Sequence, residues 1–167
     1  MAATKGFEEL LLTFVQDIYY AERQILKALP KMAKATTNPD LREAFTHHRE
    51  ETQGQVERLQ KVFEALGKRA RGITCEAING LIEEAEEVIE AFPEGSVRDA
   101  GLAACAQAIE HYEMARYGAM IAWAETAGQK EIASLLQETL AEEKQADTLL
   151  NQLARKDINQ QAFKQAA

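Results

Sequence analysis

Four long stretches of this chain repeat apolar residues at the spacing of one helix face, and each breaks its apolar stripe near mid-length with acids. In the first, Phe7, Leu11, Phe14, Ile18, Ile25, Leu29 and Met32 share a face, and Glu22 fills the gap between Ile18 and Ile25. The second runs Leu41, Ala44, then His48, Glu51 and Gln55, then Leu59, Val62 and Leu66. The third runs Leu102, Ala106, then Glu110 and Glu113, then Tyr117 and Met120. The fourth runs Ile132, Leu136, Leu140, then Glu143 and Asp147, then Leu150 and Leu153. If the four stripes pack together, the acids meet at one level. Burying an ionised carboxylate costs several kcal/mol even after relaxation, so such a cluster opposes folding unless cations compensate it. Bound metal is the most economical neutraliser.

The chain has 167 residues, enough for one domain with its own core and no staples. With 46% hydrophobic residues and only 3 Pro, its composition favours long helices, and the stripes make the fold all-α. A formal net charge of −8 argues against a nucleic-acid partner, which needs Lys and Arg to neutralise phosphates, and the short Lys68, Arg69, Arg71 cluster does not reverse that. Two cysteines, Cys75 and Cys105, lie in helical patterns and are too few for a disulfide framework, so the thiols read as reduced and structural. With no apolar run of about 20 residues and no signal peptide, the expectation is a cytoplasmic protein without a membrane partner.

Connection lengths set the topology. The first helix is expected over Thr4–Ala35, with Pro30 removing one amide and kinking its last third. The tight link Thr36-Thr37-Asn38-Pro39-Asp40 makes the second helix, Asp40–Leu66, its antiparallel neighbour, with Gly67 as the stop. Ser96–Thr126 and Gln129–Lys156 form a second hairpin through Ala127-Gly128. Between the hairpins, Gly67 to Gly95 can travel the length of a bundle, since a 25-residue helix spans about 38 Å. It carries a shorter amphipathic helix, Ala77 to Ala91, expected across the outside. Two hairpins joined by one long crossover define a ferritin-like four-helix bundle with a short fifth helix. The domain is expected over residues 1–158, with 159–167 a polar, frayed tail.

Carboxylates suit hard or borderline cations, and dinuclear bundle sites use one Glu from each of two helices plus Glu-x-x-His from each of the other two. Here three residues after Glu51 stands Gly54, and three after Glu143 stands Ala146. The chain offers instead Gln55 and Asp147, each four residues along, and His48 one turn before Glu51. His48 fits either a core histidine or a ligand. His111 points off the face of Glu110 and Glu113 and reads as structural. The run of Glu83, Glu84, Glu86, Glu87 and Glu90 lacks the glycine-containing loop of a calcium site and reads as a solvated face.

The stretch Asp17-Ile18-Tyr19-Tyr20-Ala21-Glu22, continued by Leu29-Pro30-Lys31-Met32, is similar to the first-helix signature of the YciE/YciF-type ferritin-like bacterial stress proteins. So are His48-x-x-Glu51-Thr52-x-x-Gln55-x-x-Arg58-Leu59, Gly80-Leu81-Ile82-Glu83-Glu84-Ala85, Glu110-His111-Tyr112-Glu113 and Glu142-Glu143-Lys144-x-x-Asp147. The resemblance implies a five-helix ferritin-like subunit, a homodimer, and a dinuclear centre of iron or manganese with no organic cofactor. Glu22, Glu51, Glu110, Glu113, Glu143 and Asp147 match the family's acidic positions, and His48 joins them as a candidate from its place on the stripe. Two functions follow as expectations: a centre redox-active toward oxygen or peroxide, or a non-enzymatic stress protein in which metal or a polar network only holds the bundle.

Overall fold

The structure, a computed structural model, describes residues 6–166. Helix α1 spans Phe7–Ala35, α2 Pro39–Ala65, α3 Glu76–Ala91, α4 Ser96–Thr126 and α5 Lys130–Leu153. No strand occurs among the described residues. The Thr4 to Gly6 start expected for the first helix is partly outside the described residues; within them Gly6 is the N-cap. Pro30 lies inside α1, which continues without interruption to Ala35.

Local chemistry sets the ends. Asn38 caps α2 by accepting from the Leu41 amide at 3.0 Å, and Pro39 occupies the first helical position, where its missing N–H has no intrahelical acceptor to lose. Gly67 and Gly128, with φ of 65° and 73°, close α2 and α4 by the same device. Each donates to the carbonyl three residues back while the next amide donates five residues back, the paired bonds of a Schellman stop that favours a residue without Cβ.

Helices α1, α2, α5 and α4 pack in that cyclic order, each against its two neighbours, so α2 and α4 stand on opposite corners. Helix α3 lies outside on α1 and α4, with Ile78 and Ala85 buried beneath it. The two hairpins and the crossover are those that the connection lengths require. Glu83, Glu84, Glu87 and Glu90 face solvent, while Glu86 meets Lys31 of α1 at 2.8 Å.

Two polar knots fasten the connections. Asp99, buried in the first turn of α4, accepts from Thr36 Oγ1 at 2.6 Å, the Thr37 amide at 2.9 Å, Thr37 Oγ1 at 2.5 Å and the Asn38 amide at 2.8 Å. It thereby holds the α1–α2 link against α4. Further along the same pair of helices, Tyr112 on α4 donates to Asp17 Oδ2 on α1 at 2.7 Å, and the Cys75 thiol lies 2.9 Å from the same phenol oxygen. Cys75 is the N-cap of α3, not part of a helix as expected, and its sulfur accepts from the Ile78 amide at 3.5 Å.

The C-terminal segment departs from the sequence expectation. After Leu153 the chain makes one π-helical turn, Ala154–Ile158, and continues as α6, Asn159–Ala166, packed against α4. Ile158 is buried, and Gln165 Oε1 accepts from the Ser96 amide at 2.8 Å, satisfying one free donor at the start of α4. The segment expected to fray is therefore helical through Ala166 and anchored to the bundle.

Candidate metal centre

Mid-bundle, the four stripes deliver their polar residues to one buried level. His48 of α2, Glu110 and Glu113 of α4, and Glu143 of α5 each offer a ligand atom within 4.8 Å of every other, and all four are buried. Glu110 and Glu113 reach the same interior because a three-residue step nearly completes a helical turn. Glu22 of α1 borders this group. It is fully buried and accepts a short hydrogen bond on Oε1 from Tyr117 of α4, one turn beyond Glu113.

His48 is the hinge of the cluster. Its Nδ1 lies 3.2 Å from Glu51 Oε2. Its Nε2 lies 3.1 Å from Glu110 Oε1 and 3.6 Å from Glu143 Oε2, without hydrogen-bond alignment to either. Glu51 itself is only partly buried and sits outside the group of four, held between His48 and the exposed His47, whose Nε2 is 3.3 Å from Glu51 Oε1. Asp147 also lies outside that group. It accepts from Gln107 at 3.2 Å and lies 3.1 Å from His111 Nε2 at the partly exposed edge, so the resemblance-implied position is occupied by a surface hydrogen-bond pair. Gln55 turns its amide nitrogen to Glu142 at 3.0 Å, leaving its own carbonyl oxygen buried without a partner. Arg58 forks onto Glu142 at 2.9 and 3.1 Å and reaches Thr139 at 2.7 Å, joining α2 to α5.

The electrostatics follow from burial. Desolvation, with smaller contributions from neighbouring acids, pushes Glu22 up to about 8. The same cause raises Glu113 and Glu143 well above the usual carboxylate range, reinforced by the surrounding carboxylates. Burial opposes charge on His48, yet the facing Glu110, Glu51 and Glu143 carry it well above its ordinary value. The bond to His48 holds Glu51 low. Tyr117, desolvated and next to Glu22, stays protonated and so keeps the hydrogen it donates to Glu22.

Comparison with known proteins identifies the lineage. The family described as "Domain of unknown function (DUF892)" matches residues 6–163. The chain belongs to the DUF892 family. Protein YciF of Escherichia coli K12 is 45% identical over 163 residues, covering 97% of this chain and 98% of YciF. The crystal structure of that stress protein superposes with a TM-score of 0.89 at 45% identity, covering 93% of this chain and 99% of the other. YcfI of Rhodopseudomonas palustris gives a TM-score of 0.87 at 51% identity over 90% of this chain and 96% of that one. A Xanthomonas campestris protein at 21% identity shares the fold, with a TM-score of 0.76 over 97% and 100% of the two chains. The similarity read from the Glu22, Glu51, Glu110–Glu113 and Glu142–Asp147 blocks thus identifies the right lineage.

In this DUF892 chain, the donor atoms themselves test whether a cation fits. Glu22 Oε2, His48 Nε2, Glu110 Oε2 and both carboxyl oxygens of Glu113 and Glu143 are buried with no hydrogen-bond partner. Buried polar atoms are almost always satisfied, so a convergent set of carboxyl oxygens without donors, gathered around the His48 imidazole, fits either protons or metal. An oxygen-rich set with one imidazole suits a hard or borderline divalent cation. The cluster could therefore hold metal. Sequence reasoning overlooked Tyr117, read as an apolar member of its stripe, and His47; a phenol at the seven-residue step from Glu110 was the available signal.

Proposed function

We propose that the cluster is a dinuclear iron or manganese centre, held by Glu22, His48, Glu110, Glu113 and Glu143, that reacts with oxygen or peroxide in a stress-related role. The observation that supports this reading is the set of partnerless carboxyl oxygens from three helices facing one another in the buried interior. Four carboxylates carry, when ionised, the charge that two divalent cations balance. Bound metal would supply a redox-active Lewis acid at which oxygen or peroxide can be reduced.

The chain's own residues prepare the place. Tyr117 fixes one oxygen of Glu22 and leaves the other free. Glu51 receives Nδ1 of His48, which orients the ring and turns Nε2 toward Glu110 and Glu143. Arg58 and Gln55 hold Glu142 outside the cluster, so its charge is compensated elsewhere. The apolar residues above and below, among them Ile18, Ile25, Leu59, Met120 and Leu136, keep bulk water away.

A second reading is a non-enzymatic stress protein whose cluster is neutralised by protons, favoured by the raised values of Glu22, Glu113 and Glu143. Metal analysis of protein purified without chelator separates the two. About two equivalents of iron or manganese, lost in Glu113→Gln and Glu143→Gln, is the expected result. Protein that isolates without metal and whose melting temperature ignores added Fe(II) and Mn(II) would sink the metal reading. Two-fold self-association belongs to the same proposal, and light scattering that returns the monomer mass at micromolar protein removes it.

A further inference from the structure

A cavity of about 250 Å³ opens beside the cluster, lined mainly from α2, α4 and α5, with Leu29 of α1. A dry apolar cavity of about 150 Å³ is enough to hold benzene, so this one has room for a substituted ring. Its polar end is formed by His48, Glu51 and Glu110, and its walls by residues such as Leu29, Phe45 and Leu150. The space exists because three helices each present an alanine to it: Ala44 from α2, Ala106 from α4 and Ala146 from α5. A void left by small residues forfeits packing contacts that larger side chains would make, and here it ends on the cluster.

We propose that this cavity binds a compact neutral organic molecule, an apolar body with one hydroxyl or hydroperoxyl head, with the head held against His48 and Glu110. As the class of substrate presented to the centre, an organic hydroperoxide, this rests on the metal-centre reading; as a binding site it stands on the cavity. The head needs both to donate and to accept. Glu110 Oε2 is a buried acceptor without a donor, and His48 Nε2 is buried and unaligned with any partner. A carboxylate head is disfavoured, because the His48 imidazole is already faced by Glu51 and Glu110, which would repel a further negative charge, and no Lys or Arg is among the described residues that line the cavity. The apolar body fits against Leu29, Phe45 and Leu150, where an ion or sugar would lose hydration without compensation.

The test uses 2-phenyl-2-propanol, the unreactive counterpart of an aryl alkyl hydroperoxide, titrated calorimetrically into the full chain, metal-free and loaded with Mn(II). Saturable binding is expected, with benzoate about tenfold weaker. Ala146→Leu should weaken the alcohol by about tenfold while Mn(II) affinity stays within about twofold, and Ala44→Leu repeats the measurement if the first variant fails to fold. Glu113→Gln, which does not line the cavity, should lose Mn(II) and still bind the alcohol. No saturable binding at millimolar alcohol, binding retained in the filled variants, or benzoate binding as well as the alcohol would each overturn the proposal. If the alcohol binds as expected while the unmodified protein takes up no metal, the cavity site stands and the metal-centre reading alone falls.

Discussion

Tyr117 on α4 donates its hydroxyl hydrogen to Glu22 Oε1 on α1, and both side chains are completely buried. This contact crosses the bundle at the level of the acids and decides which oxygen of Glu22 stays available. It also favours the ionised form, countering part of the burial that raises the group. Tyr117→Phe should therefore make Glu22 harder to ionise and lower metal affinity by about tenfold or more, the usual effect of removing a hydrogen bond that orients a ligand. Competition titration with a fluorescent chelator measures this, and unchanged affinity would show that Glu22 is not a ligand.

The metal-free protein should lose stability as pH rises. Glu22, Glu113 and Glu143 titrate higher when folded than the unfolded value of 4.5, so the native state holds more protons than the unfolded chain above that pH, up to about 8 for Glu22. His48, also raised, contributes stability that is full below its unfolded value and lost on passing its folded one, which has the same sign. Glu51 is lowered, so its contribution disappears only on acidification below the ordinary carboxylate range. Urea midpoints of chelator-treated protein should fall between about pH 5.5 and about pH 8. Saturating metal should reverse the slope, because ligands must lose their protons to bind. A midpoint that rises with pH without metal would refute the buried-acid account.

Periodicity and loop length made most of the fold legible before any coordinates. Long stripes such as Phe7 to Met32 admit one burial solution, and the Thr36–Asp40 and Ala127-Gly128 links are too short for anything but hairpins. The centre was legible as a level and less so as a list. Helical spacing places Glu51 and Asp147 on the acidic stripes, yet small angular offsets leave both at the edge, where His47 and His111 engage them. Asp99 was not legible at all: an acid in the first turn of a helix reads as a surface residue, and its four donors come from a distant loop. The C-terminal helix did leave a signal. Leu150, Ala154, Ile158 and Ala162 continue the α5 stripe at four-residue steps, a drift that the π turn absorbs.

Asp99→Ala should destabilise the protein by about 3 kcal/mol, because two buried or half-buried hydroxyls and two amides lose a charged acceptor at once. Asp99→Asn, which keeps one oxygen, should cost less. Urea denaturation at constant pH measures both. Equal stability of Asp99→Ala and the unmodified protein would mean that the α1–α2 link needs no anchor on α4.

The crossover is tied down by Asp17, Tyr112 and Cys75, and the thiol reports on that tie. Burial, partly offset by the contact with Tyr112, raises the Cys75 thiol, so little thiolate is present near neutral pH. Alkylation should accordingly be slow in the unmodified protein. Tyr112→Phe removes both contacts while keeping the ring that Arg116 covers at 5.2 Å, so the bundle core should remain and the start of α3 should loosen. The expected result is faster iodoacetamide labelling of Cys75, with the half-buried Cys105 of α4 as the internal control. Peptide mapping assigns the labelled site. Faster labelling of both cysteines would indicate general destabilisation, whereas unchanged labelling of Cys75 would show that the crossover is held by the packing of Ile78 and Ala85 alone.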